Sequence, residues 1–141
     1  MLASQKHVDD FLELWIDTPY MFRQRVPKRG TDCLNLVIAF LNHIGKDVDS
    51  KVAYGETPMP GLLYDILKHD LGLKKLRNIP QNDRLYVGDI IAVYRIGGIP
   101  YHVGIYIGNN IMLECGNRYV QTRHLGKYFE KRIASVWRVE L

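Results

Sequence analysis

Helical and strand periodicities are segregated along this chain, and the segregation leaves few folds open to it. Val8, Phe11, Leu12, Trp15 and Ile16 recur at helical spacing, with Asp9, Asp10 and Glu13 on the other face. Leu34, Val37, Ile38 and Leu41 make a second helical stripe, and Leu62, Leu63, Ile66 and Leu67 a third. Asp17-Thr18-Pro19, Gly45 and Gly72 end the three in turn. After Pro80 the pattern is that of strands: residues 90–94, 101–107, 111–115 and 133–139. Loops are expected at residues 46–60, 97–100 and 116–132. Helices first and antiparallel strands afterwards indicate an α+β domain, with the helices packed on an antiparallel sheet. A chain of 141 residues has the size of one domain with a single core, so residues 1–141 read as one unit.

The second helical stripe opens on a chemically distinctive run, Gly30-Thr31-Asp32-Cys33. Gly30 suits a backbone reversal, and Thr31 or Asp32 can cap the free N–H groups of the helix. Cys33 then sits at or beside the helix N-terminus, where the macrodipole favours a negative charge and hence a thiolate.

A matching base is found on the strand at residues 101–107. Period-two alternation puts His102, Gly104 and Tyr106 on one face and Val103, Ile105 and Ile107 on the other. The three β-branched residues mark the core side, so His102 faces away from it. The turn that follows decides what His102 meets. A three-residue Gly108-Asn109-Asn110 turn places Glu114 opposite Gly104, within reach of His102. A two-residue Asn109-Asn110 turn sends Glu114 to the other face, and Gln121 becomes the next residue to consider. A thiol at a helix N-terminus, a histidine on a sheet and a polar group to orient it are the parts of a cysteine hydrolase. The candidate catalytic residues are Cys33, His102 and Glu114.

These residues carry a resemblance to the NlpC/P60 cell-wall peptidases. That family has D-C-[SL]-G-L at a helix start, a G-D-[LI] turn, and then H-[VA]-G-[IV]-Y-[IL]-G with a third polar residue on the next strand. The counterparts here are Asp32-Cys33-Leu34-Asn35-Leu36, Gly88-Asp89-Ile90 and His102-Val103-Gly104-Ile105-Tyr106-Ile107-Gly108. Asn35 replaces the usual glycine, and Arg23-Gln24 replaces a common Gly-Gly pair. Glu114 stands where the family has His, Asn or Gln. The resemblance implies a papain-like α+β fold and cleavage of peptidoglycan stem peptides, usually between γ-D-glutamate and the diamino acid. It implies no metal and no cofactor. Tyr20 and Asp32 are the candidate substrate-binding residues, Tyr20 as the counterpart of the family tyrosine that lines the active site.

Charge and cysteine usage agree with that expectation. The formal charge is +4, and Lys and Arg are spread over residues 23–29, 68–77 and 118–132. A solvated surface explains most of that, an anionic wall polymer is compatible with it, and the basic stripe with interleaved aromatics of a nucleic-acid binder is not seen. Cys33 and Cys115 form no C-x-x-C pair, and with His102 and His124 they match no common zinc spacing. Residues 1–7 lack the apolar core of a signal peptide, and no run approaches membrane-spanning length. A protein made in the cytoplasm and brought to the cell wall by a phage tail, a secretion carrier or lysis is therefore expected. An acyltransferase or deamidase using the same acyl-enzyme, or a phage-tail or secretion component that keeps the fold without activity, are the alternatives.

Overall fold

The computed structural model describes residues 3–50, 61–76, 85–94, 100–126 and 131–139. The expected loop at residues 51–60 and the Gly97-Gly98-Ile99 loop lie outside them.

The first helix, α1 (Gln5–Trp15), starts at a capping box: Ser4 Oγ accepts from the His7 amide at 3.2 Å, and His7 Nδ1 accepts from the Ser4 amide at 3.1 Å. Its apolar face, Val8, Phe11 and Trp15, is buried, and Phe11 meets Phe40 edge to face with centroids 5.2 Å apart. A short hairpin follows, β1 (Arg25–Val26) with β2 (Gly30–Thr31). The reversal expected at Gly30 is made instead at Lys28, whose φ is +66°. Glycine at position 30 serves a close approach: a Cβ there would lie 2.8 Å from the Met21 side chain.

The second helix, α2 (Cys33–His43), is buried on nearly every side from Leu34 to Leu41, because α1 covers one face and the sheet another. It ends at Gly45, whose φ of +99° lets the Lys46 amide reach back to the Leu41 carbonyl at 2.9 Å. The third helical segment is α3 (Leu62–Asp65), running into a π-helical turn (Ile66–Asp70) that buries Ile66 and Leu67.

The remaining strands are β3 (Lys74–Lys75), β4 (Ile90–Tyr94), β5 (Pro100–Gly108), β6 (Ile111–Cys115), β7 (Val120–His124) and β8 (Ile133–Arg138). They form one antiparallel sheet in the order β3-β8-β4-β5-β6-β7. One face, with Ile90, Ala92, Val103, Ile105, Leu113, Cys115 and Val120, packs with the helices in the main core. Ile91, Val93, Met112 and Leu125 form a smaller cluster on the opposite face.

The connection expected at residues 116–132 contains β7. Only Val120 of its five residues is buried, so an edge strand of this kind leaves no apolar alternation to read.

The β5–β6 turn is two residues long, Asn109 and Asn110, both left-handed at φ +52° and +63°, as a type I′ hairpin requires. A straight hairpin on that turn would turn Glu114 away from His102. Instead Gly108 pairs with Ile111 while Tyr106 pairs with Met112, so Ile107 is the extra residue of a β-bulge. The bulge restores the other register, and Glu114 stands opposite Gly104.

Candidate active site

The site begins at the entry to α2. Asp32 is its N-cap, so of the two capping residues considered the carboxylate takes the role. Its Oδ1 accepts from the Asn35 amide at 2.8 Å and from Asn35 Nδ2 at 3.1 Å, and its Oδ2 accepts from the Arg23 amide at 2.7 Å. Asn35 thus closes the cap with a side-chain donor that glycine would lack. Asp32 is 3% exposed, beneath the entry loop, and it ties that loop to the helix start. Cys33, the first helical residue, is half-buried.

His102 lies between Cys33 and Glu114: it is hydrogen-bonded to the Glu114 carboxylate and close enough to Cys33 for the thiol to act on its protonation. Its Nε2 is 2.8 Å from Glu114 Oε1, so Nδ1 is the ring nitrogen that this carboxylate does not engage. Burial pushes the His102 pKa down, but the hydrogen bonds with Cys33 and Glu114, and their negative charges, outweigh it and raise the value to about 9. Burial pushes Glu114 up, while the hydrogen bond and charge of His102, and then bonds from Arg123 and Gln121, bring it down to about 2. Glu114 is therefore an ionised acceptor at neutral pH, and His102 Nε2 carries the hydrogen that it accepts.

Glycine at position 104, the cross-strand partner of Glu114, serves the close packing of β5 on β6. A Cβ there would come within 2.5 Å of the Met112 side chain and 3.0 Å of the Leu113 carbonyl. The neighbouring strand supplies the other half of the Glu114 environment. Gln121 pairs directly across from Glu114 in β7, and its Nε2 donates to Glu114 Oε2 at 3.0 Å. Arg123 Nε donates to the same oxygen. Arg123 went unrecognised in the sequence because β7 did. Its signal was the two-residue spacing from Gln121, which puts both side chains on one face of a strand.

Cys115 faces the opposite way from Glu114. Its thiol donates to the Thr31 carbonyl at 3.4 Å, joining β6 to the segment just before Cys33. Burial, with the negative charges of Cys33, Asp32 and Glu114, pushes its pKa up to about 12. Tyr20 is half-buried against the main core, in a parallel bridge with Thr31, two residues before Cys33. Asp89 belongs to the turn before β4: it accepts the Tyr86 amide at 2.8 Å and a two-pronged bond from Arg138 at 2.8 and 2.9 Å. His43 meets Phe11 edge to face, with centroids 5.5 Å apart, and His124 is exposed on β7. Among the described residues, no three His, Cys, Asp or Glu side chains are grouped to hold a metal. No helix among them is long and apolar enough to cross a membrane.

Residues 17–138 match the NlpC/P60 family. Solved structures share the fold at low identity. A Staphylococcus aureus protein similar to a lipoprotein of the NLP/P60 family superposes with a TM-score of 0.65 at 19% identity, over 99% of this chain and 43% of its own. NlpC1 from Trichomonas vaginalis gives 0.66 at 17%, over 95% of this chain and 43% of its own. The NlpC/p60 domain of the peptidoglycan hydrolase SagA gives 0.65 at 16%, over 97% of this chain and 100% of its own. The chain thus spans under half the length of the first two and the whole of the third. No curated protein matches it.

Proposed function

The chain belongs to the NlpC/P60 family, and from that premise we propose that it is a cysteine hydrolase of peptidoglycan stem peptides acting through Cys33, His102 and Glu114. The observation that carries this reading is His102 held between a thiol and a buried carboxylate. His102 Nδ1 takes the Cys33 proton, and the thiolate attacks the scissile carbonyl carbon. The backbone amide of Cys33, at the head of α2, donates to the oxyanion that forms. The imidazolium gives its proton to the leaving amine as the C–N bond breaks, leaving a thioester on Cys33. His102 then removes a proton from water, which attacks the thioester and returns the thiol.

Glu114 keeps the imidazole in one tautomer and stabilises its charged form throughout. Asp32 is read as a positioning group rather than a substrate contact, since its carboxylate is already engaged by Asn35 and Arg23. Tyr20 is the proposed substrate-side residue, from its bridge beside the entry to α2. The likeness to the SagA domain, named as that of a peptidoglycan hydrolase, supports the substrate class.

Incubation with defined muropeptides, read by product mass, tests the reading. The expected products are two fragments separated at the bond between γ-D-glutamate and the diamino acid, and none from Cys33→Ala. Intact muropeptides after incubation with the folded wild-type protein overturn it, and a mass gained by a fragment identifies acyl transfer instead.

A further inference from the structure

We propose that Arg123 is a positioning residue of this site: together with Gln121 it occupies one oxygen of Glu114, so that the other alone is presented to His102. The inference rests on the hydrolase reading above and adds a fourth member to its machinery.

The need for such a residue follows from placing a carboxylate, rather than a neutral side chain, beside the imidazole. A glutamate with a side chain only 3% exposed has two oxygens, and an ionised carboxylate requires donors at both. Left with one donor, the group can rotate and exchange the oxygen facing His102, or hold the imidazolium too tightly for it to release a proton. The structure meets both difficulties. Oε1 is 2.8 Å from His102 Nε2, and Oε2 takes Gln121 Nε2 at 3.0 Å as well as Arg123 Nε. The two donors to Oε2 come from one strand two residues apart, so β7 fixes the carboxylate plane. Glycine at position 116 makes room for this: a Cβ there would lie 3.2 Å from Gln121 Nε2.

Charge distinguishes the two donors. Gln121 supplies geometry alone, whereas Arg123 places a positive charge on the far side of Glu114 from the imidazolium. That charge draws carboxylate density away from His102 and weakens its hold on the imidazolium proton. Arg123 is 43% exposed along its side chain and lies on an edge strand, so its replacement leaves the packed core untouched.

The test uses the full chain as wild type, Arg123→Met, Arg123→Lys, Glu114→Gln and the Arg123→Met/Glu114→Gln double variant. Two readouts are compared: the NMR titration of the His102 ring, which needs no substrate, and kcat and KM on a stem-peptide fragment. Arg123→Met is expected to move the His102 titration to higher pH, with kcat reduced on the order of tenfold, the scale of loss when an orienting partner is removed. KM should change much less. Arg123→Lys, which keeps the charge but not the same donor geometry, should fall between. In the Glu114→Gln background the Arg123→Met change should shift nothing further.

A His102 titration and kcat unchanged by Arg123→Met overturn the proposal, as does an equal shift with and without the Glu114 carboxylate. Should Arg123→Met not fold, a wild-type titration and kcat in Arg123→Lys would overturn it by themselves. A wild-type protein that leaves the stem peptide intact removes the hydrolase reading, while the His102 titration still decides the role of Arg123.

Discussion

At the residue scale, two thiols and one carboxylate distinguish the proposed chemistry from the scaffold. Cys33 is half-buried beside His102, while Cys115 is buried, bonded to the Thr31 carbonyl and pushed up to about 12. Iodoacetamide at neutral pH should therefore label Cys33 at least tenfold faster in the folded protein, and equal rates by mass spectrometry would remove the nucleophile assignment. Glu114 controls the other end of the site. Because its hydrogen bond and charge help to raise His102 to about 9, the alkaline limb of kcat should fall near that pH in the wild type. Glu114→Gln keeps an acceptor without the charge, so the limb should move to lower pH and activity should fall partly. Glu114→Ala should lose on the order of a hundredfold or more, as expected for loss of a group that orients a catalytic histidine. A pH–rate profile of Glu114→Ala that matches the wild type would show that His102 is oriented by something else.

At the scale of elements, the site depends on one cap and one bulge. Asp32 satisfies the Asn35 and Arg23 amides at once, so Asp32→Ala removes an N-cap and the acceptor of a second donor. The expected destabilisation is about 1–2 kcal/mol, the scale of a lost N-cap, since the part-buried Arg23 amide can turn to solvent. Urea midpoints measure it, and Asp32→Asn, which keeps one acceptor, should lose less. A midpoint unchanged in Asp32→Ala would mean that Thr31 or solvent can close the cap. In the β5–β6 hairpin, two left-handed asparagines make the turn and Ile107 is the residue left over. Turn length was readable as a choice between two and three residues, but a two-residue turn corrected by a bulge was not among the options. Such a bulge answers the packing of the whole sheet, because the faces of β5 and β6 must agree with β4 on one side and β7 on the other.

For the whole molecule, His102 and Glu114 couple the site to stability through pH. His102 goes from 6.5 to about 9 on folding, so its stabilising contribution is complete below about 6.5 and is lost as pH rises through about 9. Glu114 goes from 4.5 to about 2, so its contribution is complete above about 4.5 and is lost as pH falls through about 2. Both are complete only between those limits, about 4.5 and 6.5. Urea midpoints of the wild type should be highest in that window and fall on either side. In Glu114→Gln the decline between pH 6.5 and 9 should be shallower, since the His102 pKa is then nearer its ordinary value. An identical pH dependence in the two proteins would show that the pair does not contribute to folding.

Periodicity alone determined that helices precede an antiparallel sheet, because a helical stripe and a strand alternation are local consequences of burying one face. The capped entry to α2, the C′ glycine at position 45 and the face on which His102 lies were legible for the same reason. The union of Cys33, His102 and Glu114 was legible only in part, since the facing of Glu114 hung on a register. Tertiary structure decided the register through the bulge at Ile107, and it decided the surroundings of Glu114 through β7. That strand buries little more than Val120, so nothing in its sequence pattern distinguishes it from a polar loop. Its existence is fixed by backbone pairing with β6, and a hydrogen-bonded ladder between segments needs no side-chain signature in either.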